Sequence, residues 1–328
     1  MKKILLTLMV LCCTGVARAQ MSEQVNAILQ VGDDVTVFYG AGALAQALEA
    51  APESGAVITL SSGLFNAVTI TKRVTIYGCG WYTDAENGIY PSTINGTLVI
   101  NLPEELEAPH DVYVEGLYIN NDINVNSVID GLSIVKCSFY TITFTKENKR
   151  VNIIQSYMRG GRINSGDNVV VKNSYVNANG IWPLSDESTI LLDHCIITNG
   201  YYFDSGTSRF NCTNCIIPAS YVSSGGPKIY QYCAFSCGSW AQMTGSGNNW
   251  FSQNWSTFFT DAENADYTDA RTFTLADPTT YIGNDGTEIG VNGGDYPWNK
   301  QPRTPVVKDL KLKVEGTQLK VTYDAQVR

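Results

Sequence analysis

Between residues 112 and 237, apolar and polar positions alternate in short runs that recur along the chain. Each run has two apolar residues two apart, a gap of three, then a small residue with another apolar residue two beyond it. Ile190, Leu192, Cys195 and Ile197 form one such run. Anchored on the small residue, the column reads Leu117, Cys137, Ser156, Ser174, Cys195, Cys215 and Cys233, at spacings of 20, 19, 18, 21, 20 and 18. Leu98 and Cys79 extend it upstream at spacings of 19 and 19. Residues two apart in a strand share a face. A gap of three bends the chain once, so each coil is expected to give two short strands and about four inward side chains. A single coil cannot bury such a face, whereas stacked coils can. About nine or ten rungs at ~4.8 Å give a rod on the order of 45 Å long.

The expected fold class is therefore all-β, a right-handed parallel β-helix. An antiparallel sandwich also spaces short strands regularly. Against it, Asn-Gly hairpin signals are scarce and the small column recurs in phase. No segment between 112 and 237 shows a 3.6-residue period, which excludes helical solenoids. At the N-terminal end, Leu44, Ala47, Leu48 and Ala51 fall on one helical face, a short cap for the exposed end of the rod. At the C-terminal end, Leu310, Leu312 and Val314 oppose Leu319, Val321 and Tyr323 across a Gly-containing turn, which predicts a β-hairpin tail.

Residues 1–19 have the form of a signal peptide, with Lys2 and Lys3, an apolar run from Ile4 to Cys13, and Ala17-Arg18-Ala19 before Gln20. The run is too short to span a bilayer, so export without membrane insertion is expected. Three parts follow: residues 1–19, a capped β-helix over 20–298, and a Pro-rich linker with a small β tail over 299–328. The whole chain carries a formal charge of −9. Cleavage removes three bases and no acid, making the remainder more acidic, which disfavours nucleic acid as a partner. Seven cysteines follow the leader, and four of them, Cys137, Cys195, Cys215 and Cys233, occupy the inward column between 112 and 237, as small buried thiols do.

The segment Ile58 to Leu60, Gly63 and Val74-Thr75-Ile76-Tyr77-Gly78-Cys79-Gly80 resembles the N-terminal cap of pectate-lyase-like β-helix proteins. Ile282-Gly283-Asn284-Asp285-Gly286-Thr287-Glu288-Ile289-Gly290-Val291-Asn292-Gly293-Gly294 resembles the closing segment of secreted Bacteroidetes β-helix repeat proteins. The resemblance implies a chain exported to the periplasm or cell surface of a Gram-negative bacterium, and it is more specific for fold than for activity.

Enzymes of this fold place acids, or calcium-binding acids beside Arg or Lys, on one outward face. The outward position two before the column reads Glu115, Val135, Ile154, Lys172, Asp193, Thr213 and Gln231. Lys172, Asp193 and the adjoining His194 are its weak catalytic candidates, more simply read as a salt-bridged ladder. The hydrolase motifs and calcium-ligand Asp pairs of the family are absent, so no cofactor or metal is expected, with calcium entering only if the chain is a lyase. One position after the column, Tyr118, Tyr157 and Tyr175 form an outward aromatic row, joined by Trp182 and Tyr201 in longer turns. Flat rings with polar tips suit sugars. The favoured expectation is thus a carbohydrate-binding or surface-interaction module whose partner is a polysaccharide or a surface protein. A polysaccharide lyase or glycoside hydrolase, and a purely adhesive rod, are the alternatives. Dense aromatics between Trp240 and Phe259 are expected to plug the end of the rod.

Overall fold

A computed structural model describes residues 25–86, 90–178, 180–183, 188–198, 210–218, 228–238, 247–301, 303, 306–315 and 318–326. The proposed leader and Tyr201 lie outside them. The chain coils into a right-handed parallel β-helix, with one short α-helix among the described residues. Three sheets, not two, run along it. Sheet A contains the parallel strands Ala56–Leu60, Val74–Tyr77, Val112–Glu115, Ile129–Val135, Asn148–Ile154, Val169–Lys172, Ile190–Asp193, Phe210–Thr213 and Lys228–Gln231. Sheet B begins with Gly63–Asn66, Ser92–Asn95 and Leu117–Ile119 and continues to Ala234–Phe235. Sheet C, the unexpected layer, spans Thr69–Ile70, Leu98–Ile100, Ile123–Val125, Ile142–Phe144, Arg162–Gly166 and Gly180–Pro183. Its strands are two to five residues long, so their alternation is too brief to stand out from the sequence.

Sheet C also corrects the column. Leu98 pairs with Ile123 in sheet C. The residue level with Leu117 is Ser92, fully buried, whose Oγ accepts from the Cys79 amide at 2.9 Å. The coil between Cys79 and Ser92 is lengthened, and it carries Trp81 and Tyr82, both buried, into a cluster with Tyr157, Tyr267 and Trp298. Cys195 and Cys215 do lie in adjacent layers, with the Ile216 amide donating to the Cys195 carbonyl at 2.9 Å.

The small column is polar as well as small. Ser156 and Ser174 donate from Oγ to the carbonyls of Ile154 and Lys172, two residues back, at 2.9 and 2.7 Å. Cys195, Cys215 and Cys233 repeat the contact through Sγ at 3.1–3.3 Å. The same atoms accept from the coil before: Cys137 N to Ser156 Oγ, Ser156 N to Ser174 Oγ, Cys195 N to Cys215 Sγ. Ser and Cys interchange here because each is a small side chain that donates and accepts. The cysteines are free, and burial pushes the Cys137 thiol up to about 12. They are ladder groups rather than reactive thiols.

Directly before this column the backbone turns from sheet A to sheet B through a left-handed residue. Gly116, Lys136, Gln155, Asn173, His194, Asn214 and Tyr232 all have φ between 46° and 74°. One residue in the left-handed region supplies the whole corner, and Gly and Asn tolerate it best.

The N-terminal cap forms as its sequence suggests, and the expected aromatic plug forms in part. Phe251 packs on the main core, whereas Trp250, Trp255, Phe258 and Phe259 pack in a second cluster and Trp240 lies outside the described residues. Helix α1 (Ala43–Ala50) buries Ala43, Leu44, Ala47 and Leu48 against the first coil. An unanticipated antiparallel hairpin, Asn26–Val31 with Asp34–Tyr39, extends sheet A beyond the coils. At the other end Phe251 stacks on Phe235, rings 5.4 Å apart at 13°, and packs on the core as a plug. The tail hairpin pairs Val306–Glu315 with Gln318–Gln326, placing Leu312 opposite Val321 and Val314 opposite Leu319.

Candidate functional site

Beyond the plug, residues 258–301 fold back over the outer face of sheet B as a strap. Beneath it Tyr175, Ile196, Ile216 and Ala234 form a second apolar core with Phe258, Phe259, Phe273, Leu275, Ile289 and Val291. Outward apolar residues in a parallel sheet require such a cover. The left-handed corner residues fasten the strap at successive levels. Asn214 Nδ2 donates to Asn284 Oδ1 at 2.8 Å, and Asn173 Nδ2 donates to the Val291 and Gly293 carbonyls at 3.0 and 2.6 Å. Gln155 donates to the carbonyls of Tyr296 and Pro297, and Lys136 Nζ to that of Gln301 at 2.7 Å. Arg303 ends the series 3.4 Å from Glu115 Oε1. The strap therefore runs antiparallel to the growth of the helix, about three to four residues per coil between Asn173 and Glu115.

This arrangement explains the candidates read from the sequence. Lys172 and Asp193 are level in sheet A, but Lys172 Nζ reaches Asp295 at 3.9 Å instead of forming the expected pair with Asp193. Asp193 Oδ1 lies 3.1 Å from both His194 Nδ1 and Asn214 Nδ2. His194 is 1% exposed, with Nε2 3.0 Å from Thr287 Oγ1 and 3.3 Å from Asp285 Oδ2. Its ring lies against Gly293 and Gly294, and a Cβ on Gly293 would stand 1.7 Å from the Glu288 carbonyl and 2.7 Å from the imidazole. The three residues meet, and their polar atoms hold the strap. Glu115 and Val135, read as outward, are covered as well, at 1% and 6% exposure.

His194 makes the strap sensitive to pH. Burial lowers its proton affinity below the ordinary 6.5, against the opposing pull of Asp193 and Asp285 and with Lys172 and Asp295 nearby. The unfolded chain then binds the proton first, so stability falls with pH once it drops below that value. Chemical denaturation from about pH 7.5 to about 5 should show this decline. His194→Asn, which tolerates the left-handed corner, should flatten it, and an unchanged slope would refute the assignment.

The tyrosine row is brought together but is not open as expected. Tyr175 is 2% exposed, its hydroxyl donates to the Ala265 carbonyl at 2.8 Å, and burial pushes its pKa up to about 12. Tyr157 stacks on Tyr267 of the strap, with ring centres 4.0 Å apart at 22°. The Arg159 guanidinium covers Tyr118, 4.2 Å from its ring centre. These faces are occupied because the sequence of the strap supplies matching rings, which a repeat-by-repeat reading does not pair with the row. Trp182 lies in the sheet C strand Gly180–Pro183.

The row contributes instead to a larger aromatic cluster. Trp81 contacts Tyr157, Tyr267 and Trp298 at ring distances of 5.8, 5.7 and 6.4 Å. At its margin lies an open cavity of about 470 Å³, bordered by Tyr82, Trp298, Lys300, Asn292, Arg271 and Glu288 among others. Lys300 Nζ sits 5.0 Å from the Tyr82 ring centre, where burial lowers its pKa. Arg271 is wedged between Phe259 and Phe273 and pairs with Asp261 at 3.2 Å, so it braces the wall. Burial raises the Glu288 carboxyl above its ordinary value. A separate cavity of about 410 Å³ lies beneath the loop containing Leu102 to His110. His110 there accepts the Asp130 amide on Nδ1 at 2.8 Å, leaving Nε2 to donate to the Leu106 carbonyl at 3.0 Å. Both its nitrogens are committed to the backbone.

The signals for this site were present as Trp81-Tyr82 in an over-long coil and as Trp298 and Lys300 after the Gly-rich segment. Among the described residues, no group of three or more His, Cys, Asp or Glu is placed to hold a metal, and no helix is long and apolar enough to cross a membrane. No protein-family model, curated protein or solved structure matches the chain.

Proposed function

We propose that this chain is an exported glycan-binding β-helix of the pectate-lyase-like Bacteroidetes type, holding a saccharide in the cavity between Tyr82 and the strap. The observation that carries the reading is the lining of that cavity. Two aromatic residues, Tyr82 and Trp298, stand beside the amides of Asn292, Asn299 and Gln301 and the ammonium of Lys300. Ring faces that stack on sugar C–H groups, combined with amides and a cation for the hydroxyls, match a saccharide better than an apolar ligand. The volume suits one or two sugar rings. Among the described residues Glu288 is the one carboxyl of the lining, whereas glycoside hydrolysis by paired carboxyls needs two about 5–10 Å apart. Retention is therefore favoured over cleavage.

A glycan array read for both retention and released products tests this. Retention without unsaturated or reducing-end products is expected, with binding lost in Trp298→Ala. Lys300→Met removes the ammonium over Tyr82 and keeps a side chain of similar length, and should weaken binding without unfolding the strap. An array with no retained glycan, or retention indifferent to both substitutions, would overturn the reading.

A further inference from the structure

We infer that the N-terminal edge of sheet A is an assembly surface that receives the C-terminal hairpin of a second copy of this chain, joining molecules head to tail. Among the described residues, no strand pairs with the outer side of Asp34–Tyr39, which ends sheet A. A natural edge is usually blunted by Lys, Pro or a bulge. This one instead shows Val35, Val37 and Tyr39 at 60%, 40% and 60% exposure, with Ile28, level with Val37, at 36%. These four lie on one face, because Val35, Val37 and Tyr39 alternate and Ile28 is their cross-strand neighbour.

The tail presents the complementary need. Val306–Glu315 and Gln318–Gln326 pair only with each other among the described strands. A lone two-stranded hairpin is marginal in water and gains from additional strands. Its register pairs Leu312 with Val321 and Val314 with Leu319, alternating with Lys311–Thr322 and Lys313–Lys320. Charge agrees with the match. Residues 25–71 contain four acids, Asp33, Asp34, Glu49 and Glu53, and no Lys or Arg; residues 299–328 contain seven bases and three acids. Strand addition to an exposed edge is a recurring mode of recognition, and opposite charge on the two surfaces steers the encounter and fixes its register.

Reach assigns the hairpin to another molecule. Arg303 is held at Glu115, and three strands of sheet A separate that level from Asp34–Tyr39. An added strand would lie about 24 Å from the Glu115 level at ~4.8 Å per strand. The three residues from Arg303 to Val306 span about 10 Å at most. The contact joins unlike surfaces and does not close on itself, so it extends into chains of molecules.

Sedimentation velocity of the mature full-length protein should show mass growing with concentration. Val35→Lys combined with Val37→Lys blocks the edge, and Leu312→Pro blocks the tail. Each should weaken self-association at least about tenfold while circular dichroism stays unchanged. Mixed in equal amounts, the two variants retain one good tail and one good edge between them and should form a dimer that grows no further. A full-length protein that stays monomeric, an edge variant that associates like the parent, or a mixture that fails to pair would each overturn the inference.

Discussion

Phe139→Ala should lower the unfolding free energy by about 3–5 kcal/mol, the largest loss expected from a single core substitution here. Phe139 is fully buried in strand Ser138–Phe139, with Met158 level with it in the following coil. It belongs to the continuous core that sheets A, B and C enclose. Three short strands meet around each coil, so the space left by a phenyl ring is lined on all sides by stacked residues that ladder bonds hold in register. Such a site collapses little, which places the cost toward the upper part of the range. Phe139→Leu should recover most of the loss, because it removes volume without emptying the layer. Guanidinium denaturation followed by circular dichroism gives both values. A cost below about 1 kcal/mol for the alanine would mean that coils slide to refill the gap, contrary to a registered stack.

That core was the part of the molecule most legible in the sequence. Pairs such as Ile190 and Leu192, with Cys195 after a three-residue gap, mark inward positions and one bend, and these need only local alternation to be seen. Sheet C escaped because Leu98–Ile100 and Ile142–Phe144 are too short to show a period of their own. Leu98 lies in sheet C and not in the small column. The strap was hidden for a different reason, since its partners lie about 100 residues away, as Asn173 and His194 do from Val291 and Thr287. Alternation tells which side of a strand faces out and is silent about what later covers that side. Tyr175 and Tyr157 are outward as read, and the strap turns them into a second core. One further signal in the sequence is usable. The position before each small residue reads Gly116, Asn173 and Asn214 at three coils, and those residue types at a recurring corner announce a left-handed bend.

The corner column yields the second large effect, and it can be divided into two physical parts. Asn214 has φ of 56° and is 2% exposed. Its Nδ2 donates to Asp193 Oδ1 and Asn284 Oδ1, its Oδ1 accepts the Asn284 amide at 2.9 Å, and its carbonyl accepts the Gly290 amide at 2.7 Å. Removing the amide group leaves those partners short of bonds in a buried setting, a loss of about 1–3 kcal/mol. A Cβ without a polar side chain in the left-handed region adds about 1–2 kcal/mol. Asn214→Ala incurs both and should destabilise by about 3 kcal/mol. Asn214→Gly keeps the first loss and escapes the second, so it should be the milder variant by about 1 kcal/mol despite removing more atoms. The order matters more than either value, because ordinary side-chain truncation would make glycine the worse substitution. Equal costs would show that the corner bears no strain relieved by glycine, and two harmless variants would show that the strap is held by its apolar face alone. Comparing denaturation midpoints with protease cleavage between residues 282 and 301 separates these outcomes, since a loosened strap is cut before the coils unfold.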